Sequence, residues 1–178
     1  MATLIRLAND LQSDSIVDGD GLRMVLWFQG CMHNCIGCHN PNTFDMMGGF
    51  LVQMEEIKKQ IKDKDYHDGI TLSGGDPLFQ LETAIEIAKY SKSINLNVWV
   101  YTGFTFEDLI KDDKYHELLK NIDVLVDGRF MQKLKSLNIK FRGSTNQRLI
   151  DVPMSLKENK VIELTYDKQI EEKPVLFV

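Results

Sequence analysis

Short apolar runs alternate with amphipathic stretches along the chain. Arg23 to Gln29, RMVLWFQ, is rich in β-formers and stops at Gly30, which predicts a buried strand. From Val52 to about Lys64 the apolar Val52, Met54, Ile57 and Ile61 recur near helical spacing among charges, which predicts an amphipathic helix. A brief strand follows at Gly69 to Ser73. It ends at Gly74-Gly75-Asp76-Pro77, where two glycines permit unusual dihedrals and the proline opens a helix running to about Ser93. Leu96 to Tyr101 predicts a third strand, Thr105 to Lys120 a third helix, and Ile122 to Val126 a fourth strand. Beyond Arg129, Lys160 to Thr165 and Pro174 to Val178 read as strands or edge pieces.

Strands that are apolar throughout, rather than alternating, belong to a sheet buried on both faces. Alternation with helices makes the fold class α/β, a mostly parallel sheet covered by helices. The chain has 178 residues. A closed eight-unit barrel needs roughly 200 or more, so an incomplete barrel or an open sheet is expected. Either arrangement gathers the loops after the strands on one working face. The cysteine loop, SGGDP, YTG and DGR all fall there. One domain over residues 1–178 is expected, and the role of its C-terminal part from about 152 stays open.

Composition narrows the function classes. With 43% hydrophobic and 26% charged residues, the chain is ordinary globular protein. A net charge of −5 without a dense basic block argues against nucleic acid as partner. No apolar run reaches the roughly 18 residues of a membrane span, and charges come too early for a signal peptide. A cytoplasmic protein is expected.

The cysteines are the uneven feature. All three, Cys31, Cys35 and Cys38, fall within GCMHNCIGCHN. An odd number so closely spaced argues against disulfides and for a metal in a reducing compartment. CxxxCxxC gives three sulfur ligands, which leaves one iron of a cubane cluster open. The competing reading is a zinc site completed by His33 or His39, although zinc usually takes two separated pairs.

CxxxCxxC after a first strand resembles the radical S-adenosylmethionine superfamily. SIVDGDGLRMVLWFQGC before the cysteines and CHNPNTFD after them resemble the glycyl-radical activating enzymes, including pyruvate formate-lyase activase. SGGDPL, VWVYTG, IDVLVDGRF and FRGSTNQR look like the activating proteins of anaerobic (class III) ribonucleotide reductase. The resemblance implies an incomplete (β/α) barrel of the radical SAM type. It implies a [4Fe–4S] cluster on Cys31, Cys35 and Cys38, with S-adenosylmethionine on the fourth iron. A reduced cluster would pass one electron to the sulfonium, and the resulting 5′-deoxyadenosyl radical would take a hydrogen atom from a glycine of the partner reductase. The electron would come from a reduced flavodoxin or ferredoxin-type donor.

The same resemblance places Gly74, Gly75 and Asp76 at the methionine amino group and Arg129 at the methionine carboxylate. His39 and Asn40, beside the last cysteine, are candidates for S-adenosylmethionine contact. Thr102 and Asp127 match a monovalent-cation site of the pyruvate formate-lyase activase, but Tyr101 stands where that site has an acid, so iron is the only metal expected. Arg142, Ser144 and Asn146 either reach toward nucleoside or partner or form a polar turn between strands. Trp27 and Phe28 are read as packed strand residues that dry the cluster, and Met46 and Met47 as gap fillers. Activation of another glycyl-radical enzyme and radical peptide modification are the nearest alternatives. A ferredoxin-type insert is excluded, because two further clusters need roughly eight more cysteines. A non-catalytic zinc-binding interaction module is the alternative from a different class.

Overall fold

The computed structural model describes residues 3–64 and 66–166. Eight strands form one open sheet: β1 (Leu4–Leu7), β2 (Gln12–Ser15), β3 (Arg23–Phe28), β4 (Phe50–Gln53), β5 (Gly69–Gly74), β6 (Asn97–Tyr101), β7 (Val124–Asp127) and β8 (Arg148–Asp151). Their order is β4-β1-β3-β5-β6-β7-β8, with β2 also paired to β3. The centre, β3-β5-β6-β7, is parallel. The flanking pairs are antiparallel: β1 with both β3 and β4, β2 with β3, and β8 with β7. The fold is thus mixed α/β with a sheet that does not close.

Both faces of the parallel centre are buried, which is why its strands lack polar alternation. Met24, Leu26, Phe28, Ile70, Leu72, Val98, Val100 and Leu125 join the main core with the helices. Those helices are α1 (Met54–Lys62), α2 (Leu81–Ser93), α3 (Phe106–Leu109), α4 (His116–Leu119) and α5 (Val152–Glu158). The opposite face carries a smaller cluster of Trp99, Val124, Val126 and Leu149, against which Tyr101, Phe141, Leu164 and Tyr166 pack. Arg23, 1% exposed, lies on this second face with its guanidinium 5.2 Å from the Trp99 ring centroid. It donates to Thr71 Oγ1, Asn97 Oδ1 and the carbonyls of Asp20, Ile70 and Asn97, so no N–H group is wasted. Burial lowers its pKa to about 10.

Three predicted boundaries shift. Val52 belongs to β4, paired with Ile5, and the helix begins only at Met54 after the extended Gln53. The predicted helix over Thr105 to Lys120 is broken into α3, a 3-10 turn at Asp113–Tyr115, and α4. Asp112 accepts from the Lys114 amide there, a local bond that competes with continued helix. Lys160 to Thr165 makes a single bridge, Glu163 to Ile150, and the Leu164 amide donates to the Leu149 carbonyl. The strand predicted at Pro174 to Val178 lies outside the described residues.

Candidate functional site

The C-terminal ends of β3, β5, β6 and β7 open into a cleft of about 760 Å³. Its lining includes Cys31, Cys35, Cys38, His39 and Asn40 from the loop after β3, and Gly74, Gly75 and Asp76 from the turn after β5. Thr102 and Arg129 enter from the ends of β6 and β7. Ten of the predicted site residues therefore meet, although they come from four separate segments. Trp27 also faces the cleft, whereas Phe28 points into the core. Met46 packs so closely on the loop that a Cβ at Gly30 would lie 2.9 Å from its sulfur; Met47 is 75% exposed.

Asp76 holds the strand ends together. Its side chain is 1% exposed and receives the Leu78 amide at 2.9 Å on Oδ1. On Oδ2 it meets His33 Nε2 at 2.7 Å, Thr102 Oγ1 at 2.8 Å and the Gly103 amide at 2.9 Å. The His33 ring lies between Phe79 and Phe104, 5.4 and 4.8 Å from their centroids. Backbone bonds brace the same junction, from the Gly75 amide to the Phe28 carbonyl and from the Asp76 amide to the Gly30 carbonyl. Gly75 is needed for this approach, since a Cβ would stand 2.4 Å from the Gly30 oxygen. Asn40 adds a bond from Nδ2 to the Gly74 carbonyl at 3.1 Å.

The cysteines are free and half-buried. Burial pushes the Cys31 thiol up to about 11, and burial followed by the nearby Cys38 raises Cys35. Iron binding would have to displace those protons. Among the described residues no three His, Cys, Asp or Glu side chains converge tightly enough to hold one ion. A cubane bonds each sulfur to a different iron, so it spaces its ligands more widely than a single zinc does. His33 has its Nε2 committed to Asp76, and the His39 ring packs 5.0 Å from that of Phe130. Three clustered thiols, with His33 held by Asp76, fit a cluster with one open iron, and His39 shares the cleft with them.

Asp127, also 1% exposed, stands apart from this cleft and lines a neighbouring cavity. It accepts from the Phe106 amide at 2.8 Å and from Arg148 Nε at 3.0 Å, while Arg148 reaches Glu107 with two further N–H groups. These bonds from Arg148 hold the Glu107 carboxyl down at about 2. The preceding residues clamp the turn after β7. Ser144 Oγ accepts the Met131 amide, Asn146 Nδ2 donates to the Arg129 carbonyl, and Gln147 Nε2 donates to the Gly128 carbonyl. FRGSTNQR is thus the polar turn of the two readings above, and Ser144 and Asn146 serve it; Arg142 lines the cleft. Sequence reading missed the positioning parts of His33, Gln147 and Arg148. Their partners lie 43, 19 and 21 residues away, and no local pattern reports such pairings.

A family described as a 4Fe-4S single cluster domain matches residues 17–150, a span containing every segment of the cleft named so far. The chain is 37% identical over 139 residues to the anaerobic ribonucleoside-triphosphate reductase-activating protein of Enterobacteria phage T4, covering 75% of this chain and 86% of that protein. The chain belongs to this family. The activating proteins of Vibrio cholerae and Escherichia coli K12 are each also 37% identical, over 140 and 141 residues, covering 74% of this chain and 89% and 90% of theirs. Membership in the anaerobic ribonucleoside-triphosphate reductase-activating family agrees with the donor set. No helix among the described residues is long and apolar enough to cross a membrane.

Proposed function

We propose that this chain is a radical S-adenosylmethionine activase that installs a glycyl radical on an anaerobic ribonucleotide reductase. The observation carrying this reading is that three thiols share one cleft with a glycine-rich strand end and an arginine. When bound, the reduced cluster supplies one electron to S-adenosylmethionine, whose S–C5′ cleavage gives the group that takes the glycine hydrogen. Under this reading Cys31, Cys35 and Cys38 hold the iron. The backbone at Gly74 and Gly75 offers carbonyl acceptors to the amino group, with Asn40 fixing the Gly74 carbonyl. Arg129 supplies positive charge for the carboxylate, and His39 forms the wall beside Cys38. Asp76 and Thr102, whose polar atoms are taken up by protein groups, shape the cofactor site from behind, whereas Asp127 braces the neighbouring turn through Arg148.

The described residues are read as one radical SAM domain whose sheet is part of a barrel, in a reducing, cytoplasmic setting that suits free thiols. A reduced flavodoxin or ferredoxin-type protein is the electron donor in this scheme. The test is anaerobic. The iron-reconstituted, dithionite-reduced protein should convert S-adenosylmethionine to 5′-deoxyadenosine and methionine, and with the reductase should give a doublet glycyl radical signal in electron paramagnetic resonance. A colourless protein holding one zinc and no cluster after reconstitution would refute it; a signal only with a pyruvate formate-lyase type partner would reassign the substrate.

A further inference from the structure

The chain has 26 acidic and 21 basic residues, yet Arg129 to Arg142 carries five basic residues and no acidic one. This loop leaves the end of β7 and forms one side of the cleft mouth. Lys133 and Lys135 are exposed, and Leu137 is 90% exposed. The loop is built into the fold at its base. Lys135 bridges Ser144, the Thr145 amide donates to the Leu134 carbonyl, and the Ser136 amide donates to the Gly143 carbonyl. Across the mouth, Ile16 and Val17 are 71% and 70% exposed and also border the cleft. Large apolar side chains exposed on both sides of one opening mark a contact surface rather than ordinary scatter.

Leu137, Ile16 and Val17 line the cleft that holds the cysteines yet remain highly exposed, so a partner reaching the cysteines from outside would meet them. Lys133 and Lys135, exposed on a loop without acidic residues in a protein of net charge −5, disfavour cationic surfaces and draw in anionic ones.

We propose that the Arg129–Arg142 loop is the docking surface for the protein substrate, receiving an acidic segment of the reductase beside its reacting glycine, with Leu137, Ile16 and Val17 gripping apolar side chains of that segment. The proposal rests on the function proposed above. Its charge recruits the partner and sets the association rate, and the apolar contacts hold it. A nucleic acid is the other polyanion that a basic loop can serve. The apolar tips interleaved with the lysines favour a protein instead.

The test compares the cluster-loaded wild type with Lys133→Glu/Lys135→Glu and, separately, Leu137→Ser. Two readouts are taken: S-adenosylmethionine cleavage under dithionite without partner, and complex formation plus glycyl radical yield with the reductase. Both variants should keep cleavage within twofold of wild type. The charge-reversed variant should bind the reductase about tenfold more weakly, with slower association and a flattened salt dependence. Leu137→Ser should weaken binding mainly through faster dissociation. Unchanged reductase binding in both variants overturns the proposal, as does equal loss of cleavage and radical yield, which would place the loop in the cofactor site. Displacement of the reductase by single-stranded DNA at matching concentration would overturn the choice of a protein partner. If wild type itself gives no radical on the reductase, the function reading fails rather than this surface.

Discussion

His33 Nε2 stands 2.7 Å from Asp76 Oδ2, and the two side chains are 6% and 1% exposed. This contact joins the cysteine loop to the glycine-rich turn across 43 residues of sequence. Removing the carboxylate strips His33, Thr102 and the Gly103 and Leu78 amides of their acceptor at once. Asp76→Ala should therefore lower stability by about 3–5 kcal/mol, the range for breaking a buried charged network. At roughly 2–4 °C per kcal/mol for a chain of this size, thermal unfolding would show the loss directly. A melting point unchanged in this variant would mean that the four bonds carry no net stabilisation.

Gly75→Ala tests the closest backbone approach in the site. The added methyl would lie 2.4 Å from the Gly30 oxygen, so the cysteine loop or the β5 turn must move. Overpacking of this kind costs about 1–3 kcal/mol. Iron and sulfide content after reconstitution should fall along with the denaturant midpoint. Full cluster loading at wild-type stability would show that the two segments shift freely.

Cys35→Ala should separate fold from chemistry. The residue is half-buried and outside the core, so far-ultraviolet circular dichroism should match wild type. The brown chromophore and S-adenosylmethionine cleavage should both disappear. Turnover persisting in this variant would remove Cys35 from the ligand set.

The Glu107–Arg148 pair predicts a pH window. Arg148 holds Glu107 at about 2, below its ordinary 4.5, so the pair's contribution is complete above about pH 4.5 and is lost as pH falls toward 2. Arg148→Met should destabilise the protein at neutral pH, and its difference from wild type in urea midpoint should narrow across that window. A constant difference from pH 7 to pH 2.5 would exclude the linkage.

Tyr166 packs on the second face of the sheet, 5.9 Å from Trp99 and 5.2 Å from Phe141 between ring centroids. Tyr166→Ala should shift Trp99 fluorescence and cost about 1–3 kcal/mol, less than for a fully buried aromatic because the residue is only partly covered. Emission identical to wild type would place the ring elsewhere.

The parallel centre was legible because each of its strands is apolar throughout and ends at a motif. Arg23 to Gln29, Gly69 to Ser73, Leu96 to Tyr101 and Ile122 to Val126 all match strands to within two residues. The edges were not. β1 and β4 are four residues each, and β2 is the polar QSDS, so their pairing rather than their composition makes them strands. β8 begins at Arg148, inside a polar motif whose side chains bond to the preceding turn. At the site, the cysteines and glycines announce themselves by type and spacing. The roles of Asp76 and Asp127 did not, because an acid facing a ligand and an acid facing protein donors look alike until their partners are known.

The His33 wedge also makes the cysteine loop and the β5 turn one mechanical unit. Its aromatic neighbours Phe79 and Phe104, the Asp76 contact and the bond from the Gly30 amide to the Thr43 carbonyl tie the two segments together within the polypeptide. A substitution that loosens either segment is therefore transmitted to the other, so damage far from the sulfurs in sequence can still misplace them.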